Sequence, residues 1–158
     1  MKQQSNKELK KYIQEFSRAQ NLNEPTISYG SVLNDKMLIA RAVRRGVTQN
    51  LFQEIKNNSP FTDLQWSSFL NINIRTMQRY KSASDHIFKP IQSERIFELA
   101  EVVSLGDKVF DTREHFNIWL NIPSPALGND TPISLLDSSY GKELVIAELN
   151  RIEYGVFA

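Results

Sequence analysis

The chain has 158 residues and no cysteine, which removes disulfide scaffolds, thiolate zinc sites and cysteine nucleophiles together. At 41% hydrophobic it can fill one ordinary core or two small helical units sharing an interface, and six glycines and six prolines are too few for the turns of a barrel or sandwich, so helix is expected. A net charge of +1 conceals an asymmetry: residues 1–95 carry 15 Lys and Arg against 8 Asp and Glu, a balance of +7, whereas residues 96–158 carry 4 against 10, a balance of −6. A basic first part suits a polyanion, and the bland alternative is a pair of solvated faces of opposite sign. No apolar run approaches the roughly 18 residues of a membrane span, and the first residues lack a signal-peptide core, so the expectation is a cytoplasmic protein with no membrane partner.

Residues 1–34 read as an N-terminal extension. Leu9, Ile13 and Phe16 have helical spacing, and Pro25 and Gly30 break it into a linker. From Asp35 the pattern becomes regular. Met37, Leu38, Ala42 and Val43 fall on one side of a helix that ends at Gly46, and Thr48 caps a second helix carrying Leu51, Phe52 and Ile55. Thr62 with Gln65 three residues on forms a capping box, opening a helix that buries Leu64 or Trp66 with Phe69 and Leu70. Asn71 tolerates the left-handed backbone that closes a helix, Ile72 plugs the turn, and Asn73 caps the next helix, whose Met77 and Tyr80 share one side.

Helix, short turn, helix is the layout that sets a second helix in the major groove of DNA. Arginine matches the two acceptors of guanine with its forked donors, and asparagine and glutamine can do the same for adenine. Asn73, Arg75, Gln78 and Arg79 are therefore the candidates for base edges, with Lys81, Lys89, Arg44 and Arg45 for phosphates. A four- or five-helix bundle whose polar face happens to be basic would show the same spacing.

Ile96, Leu99, Ala100 and Val103 mark the stripe of one long amphipathic helix, in the core of the monomer or at a dimer seam. Asp111 and Glu114 offer an Asp-x-x-Glu cap for a helix burying Phe116, Trp119 and Leu120, which Pro123 and Pro125 stop. Thr131 before Pro132 opens a short helix with Ile133, Leu135 and Leu136. Asp137, Ser138 and Ser139 offer caps for the last helix, from about Gly141, which buries Leu144, Val145, Leu149 and Ile152. Gly128, Gly141 and Gly155 sit at edges, where glycine permits turns or close approach.

The segment from Trp119 to Tyr154 closely resembles the toxin-binding domain of the Xre/MbcA/ParS type antitoxins. The resemblance is carried by Trp119-Leu120, Pro125-Ala126-Leu127-Gly128, Thr131-Pro132, Leu135-Leu136-Asp137, Gly141 and Arg151-Ile152-Glu153-Tyr154-Gly155. It covers roughly the last 60 residues and extends less closely over the helix-turn-helix region. One departure is Ser124-Pro125 after Pro123, where the family often carries a polar residue such as asparagine. The resemblance does not cover residues 1–34, which stay an extension, and with the helical reading it implies an all-α chain with an Xre-like helix-turn-helix domain 35–95 and a toxin-binding domain 96–158. It implies a partner toxin with a RES domain, an enzyme of ADP-ribosyltransferase-like fold that consumes NAD. The antitoxin would cover that toxin's active-site cleft with its C-terminal module, form a homodimer and bind its own operator DNA. Gly141, Arg151, Glu153, Tyr154, Gly155, Val156 and Phe157 are then the toxin-binding candidates. The apolar stretch closing the chain becomes a plug for a foreign cleft; on the opposite reading, Tyr154 and Phe157 fold back on this chain's own helices.

Enzyme chemistry finds no constellation. His86 and His115 are the only histidines, neither HExxH nor GxSxG surrounds them, and no glycine-rich phosphate loop is present. The expectation is a protein that is not an enzyme, with no cofactor, no metal and no small-molecule substrate of its own, any NAD belonging to the partner. The competing function is a homodimeric helix-turn-helix regulator with no toxin partner.

Overall fold

Asp35 opens the first described helix, its carboxylate accepting the Leu38 backbone N–H at 3.0 Å, and α1 runs Lys36–Arg45. The computed structural model describes residues 33–155, and the expectations for Leu9, Ile13, Phe16, Val156 and Phe157 lie outside them. Gly46 ends α1 at a φ of +87°, where an added Cβ would sit 2.5 Å from the Phe88 carbonyl oxygen, so only glycine fits this crossing of two backbones. Just beyond it the Val47 carbonyl accepts the Phe88 N–H at 2.8 Å and the Val47 N–H donates to Ser93 Oγ at 2.8 Å.

Three helices follow with the expected caps. Thr48 caps α2, Gln49–Asn57, which buries Leu51, Phe52 and Ile55. Thr62 and Gln65 form a reciprocal capping box at the start of α3, Asp63–Phe69, and Asn73 caps α4, Ile74–Ser82. Trp66 is the hub of this part. It is fully buried, meets Phe52 and Phe61 edge-on at 5.3 and 5.7 Å, and its indole N–H donates to Ser59 Oγ at 3.0 Å. Leu64 stays 70% exposed and Met37 63% exposed. Of the two residues expected at the buried edge of α3 it is therefore Trp66 that packs inward, and α1 turns Ala42 inward with Leu38 and Val43 beside it.

The central element is α5, Pro90–Val109, packed by α1 and α2 on one part and by α6 and α8 on another. Its expected stripe of Ile96, Leu99, Ala100 and Val103 is buried, and so are Phe97, Val102 and Gly106, because neighbours cover it from several sides. It thus forms monomer core. Glu101, near its middle, accepts from Lys142 Nζ of α8 at 2.6 Å and from Lys36 of α1, linking both helices to α5.

Helix α6, Arg113–Asn121, is capped by Thr112, whose hydroxyl accepts the His115 N–H at 3.2 Å. The expected Asp111–Glu114 cap is off by one residue, since Thr112 is the last residue in extended backbone, at φ −133° and ψ 153°. Phe116 and Leu120 are buried, and Phe110, Phe116 and the half-buried Trp119 pack face against face. A single 3-10 turn, Pro125–Leu127, closes on Gly128 in left-handed backbone. Pro132 then opens α7, Pro132–Leu135, in which Thr131 makes no side-chain cap, contrary to expectation: the short helix is closed by its own backbone and by Ser134 Oγ donating to the Thr131 carbonyl at 2.7 Å. Ser138, one of the three offered caps, accepts the Gly141 N–H, and α8 runs Ser139–Glu153. The described residues form an all-α bundle whose only β feature is an isolated bridge between Thr48 and Ile87.

Candidate nucleic-acid and partner-binding surfaces

The turn between α3 and α4 is built from backbone conformations its residues favour. Asn71 takes φ +51°, the Ile72 N–H returns to the Ser67 carbonyl at 3.0 Å, and Asn73 is extended with its side-chain oxygen accepting the Arg75 N–H at 2.8 Å. Met77 anchors α4 in the core. That anchoring leaves Asn73, Arg75, Gln78, Arg79 and Lys81 exposed on the outer side, with Lys89, Arg44 and Arg45 exposed as well. The structure thus brings five of the eight base and phosphate candidates onto one short helix and its cap.

His86 braces that helix from outside it, through Tyr80. Their rings stack at 3.5 Å with planes 12° apart, His86 meets Phe88 edge-on at 4.8 Å, and the Arg79 guanidinium lies 5.8 Å from the Tyr80 ring centre. The His86 carbonyl accepts the Gln49 N–H at 2.9 Å, while its ring Nε2 is buried without a partner. Burial holds the imidazole below its ordinary value of 6.5, with the Arg79 charge acting in the same direction and Asp85 opposing.

The second surface is α8. Gly141, Val145 and Leu149 face the core, and Gly141 lies so close to α7 that a Cβ would stand 1.9 Å from the Leu135 carbonyl oxygen. Gly141 is therefore interior and holds the turn in place. Leu144, expected inside, is 55% exposed, because the inward positions follow 141, 145 and 149 and Leu144 falls on the other side. It shares that outer side with Tyr140, 89% exposed, with Ala147, and with Tyr154, 75% exposed. Sequence reasoning missed Tyr140. The signal was present, since Tyr140, Leu144, Ala147 and Tyr154 repeat at helical spacing, with Arg151 among them, just as the inward set does, giving one helix a second, largely apolar stripe.

Arg151 is half-buried and paired with Glu148, its Nε lying 2.8 Å from the carboxylate, whereas Glu153 is exposed and Gly155 turns at φ +65°. Tyr154 does not fold back on this chain's helices. A groove of about 400 Å³ opens between α1, α5 and α8, lined among others by Leu33, Glu101, Ile146, Glu153 and Tyr154. Among the described residues no group of three His, Asp or Glu could hold a metal ion, and no helix is long and apolar enough to cross a membrane.

Residues 38–101 match the antitoxin Xre-like helix-turn-helix domain, and residues 105–155 match the antitoxin Xre/MbcA/ParS C-terminal toxin-binding domain. A curated relative, the Prs ADP-ribosylating antitoxin of Sphingobium sp. (strain YBL2), is 37% identical over 98 residues, covering 56% of this chain and 61% of its own length. The matched part thus spans about three-fifths of that relative. The fold is similar to a chain of the crystallised M. tuberculosis MbcT–MbcA toxin-antitoxin complex, with a TM-score of 0.54 at 18% identity over 70% of this chain and 96% of that one.

Proposed function

Because the chain belongs to the Xre/MbcA/ParS antitoxin family, with an Xre-like helix-turn-helix domain and a C-terminal toxin-binding domain, we propose that it neutralises a RES-domain, NAD-consuming toxin. It does so by setting the end of α8 and the residues after it into the toxin's catalytic cleft. One observation carries this reading: Tyr154, inside the matched toxin-binding domain, is 75% exposed at the end of a well-packed helix. An aromatic ring held out of its own core is the kind of anchor that fills a partner's pocket. Burying Tyr154, Val156 and Phe157 would favour association by about 1.5 to 3 kcal/mol each, before ordering costs are subtracted. Glu153 is placed to meet basic groups that otherwise bind the phosphates of NAD. Gly155 supplies the turn beyond the helix, and Arg151, held by Glu148, lies in the last turn before it. Gly141 contributes by fixing the α7–α8 turn.

The same molecule binds operator DNA through α4, with Arg75, Gln78 and Arg79 at base edges and Lys81 and Lys89 on phosphates. It does so as a homodimer, since a single short reading helix covers only half of a two-fold site. We divide the chain accordingly into an extension 1–34, a reading part 35–95 and a capping part 96–158. The test is co-expression with a RES-domain toxin: the chain restores growth and co-purifies with the toxin. Growth arrest that persists despite folded, abundant chain would overturn the reading.

A further inference from the structure

We infer that Asn73 is a positioning residue of the reading helix and reads no adenine itself; the inference rests on the DNA-binding reading of α4. Recognition of adenine by asparagine uses both ends of the amide at once, the oxygen accepting from the base amine and the nitrogen donating to N7. In this chain the orientation of that amide is already fixed. Its oxygen accepts the Arg75 backbone N–H at 2.8 Å, from an extended residue at φ −68° and ψ 143°, two residues after the left-handed Asn71. Turning the amide to meet a base edge would release the Arg75 N–H and uncap a helix of only nine residues. Short helices depend on such caps, and fraying of the first turn would displace Arg75 first. The remaining amide N–H groups can still touch a phosphate, which places the chain without reading sequence. The specificity of the N-terminal end of α4 then belongs to Arg75, and Asn73 sets the direction from which Arg75 enters the groove.

The experiment uses Asn73→Ser and Asn73→Ala, each with Arg75 present and with Arg75→Ala, in selection and titration with a pool of randomised DNA duplexes. Serine keeps a capping oxygen and loses the bidentate amide. Asn73→Ser selects the same sequence as the unmodified chain, with affinity within about twofold, while Asn73→Ala selects that sequence roughly five- to tenfold more weakly. The alanine penalty disappears when Arg75 is also alanine, because the cap acts through that side chain. A changed base pair in the sequence selected by Asn73→Ser, or a full alanine penalty without Arg75, overturns the inference. If the unmodified chain selects no sequence, the DNA reading itself fails, and hydrogen exchange at the Arg75 amide decides the cap. Protection lost in Asn73→Ala and restored in Asn73→Ser sustains the cap; protection unchanged in Asn73→Ala removes it.

Discussion

Replacing Gly141 by alanine adds one methyl group where the backbone has no room. The new Cβ would stand 1.9 Å from the Leu135 oxygen and 2.8 Å from the Leu135 carbonyl carbon, both main-chain atoms that cannot rotate aside. Ordinary contact is more than 1 Å longer, so α7 and the start of α8 must separate by about that amount. Overpacking of this kind costs about 1–3 kcal/mol, and a rigid backbone obstacle belongs at the upper end. Alanine returns up to about 1 kcal/mol through its better helix propensity. The net loss is about 2 kcal/mol, which for a domain of this size lowers the melting temperature by about 4–8 °C. Gly128→Ala is the control. Nothing lies within 4 Å of its added Cβ, and only the left-handed φ of +71° opposes the change, at a cost of about 1 kcal/mol. Thermal and urea unfolding of both variants measure the difference. Equal or greater stability of Gly141→Ala would refute the close approach of α7 and α8.

Substituting Arg75 and Arg79 together by alanine should leave folding and toxin neutralisation intact, since both are exposed on α4, while DNA affinity falls by at least tenfold, equivalent to about 1.4 kcal/mol; a pulldown and a DNA titration on one preparation check both. His86 gives a pH dependence of fixed sign. Its folded pKa lies below the unfolded value, so the folded state favours the neutral ring, and the contribution is complete above pH 6.5 and lost as pH falls from there through the folded value. Urea unfolding between pH 7.5 and pH 5, in steps of roughly half a unit, should show a decline that His86→Phe reduces. Removing the ring contacts of Trp66 by Trp66→Ala should cost about 3–5 kcal/mol and abolish folding of the α2–α4 region, read by circular dichroism.

Most helix boundaries were legible from their caps, with Thr112 in place of Asp111 and the capless Thr131 as exceptions. Thr48, Thr62 with Gln65, Asn71, Asn73 and Ser138 all act within four residues of the backbone they satisfy, so the chain states them locally. Facing was harder to read. Met37 and Leu144 are apolar and exposed because the inward direction of α1 and α8 is set by α5, which lies far away in sequence, and Leu64 is exposed because Trp66 packs on Phe52 and Phe61 instead. The two faces of α8 carry the same ambiguity: periodicity identifies both, and only packing tells which one stays exposed. Asn73 shows the complementary lesson, for its residue type fits both a base reader and a cap, and only the folded chain displays the 2.8 Å bond by which it caps Arg75.

The proposed plug is tested most directly by deleting the residues after Glu153, which ends α8 and leaves Ile152 in its half-buried place. NAD consumption by the purified partner toxin is then followed with the intact and the shortened chain. The intact chain stops the reaction at equimolar amounts, and the shortened one, melting at the same temperature and binding DNA equally well, leaves it running. Equal inhibition by both would contradict a cleft filled by the end of this chain.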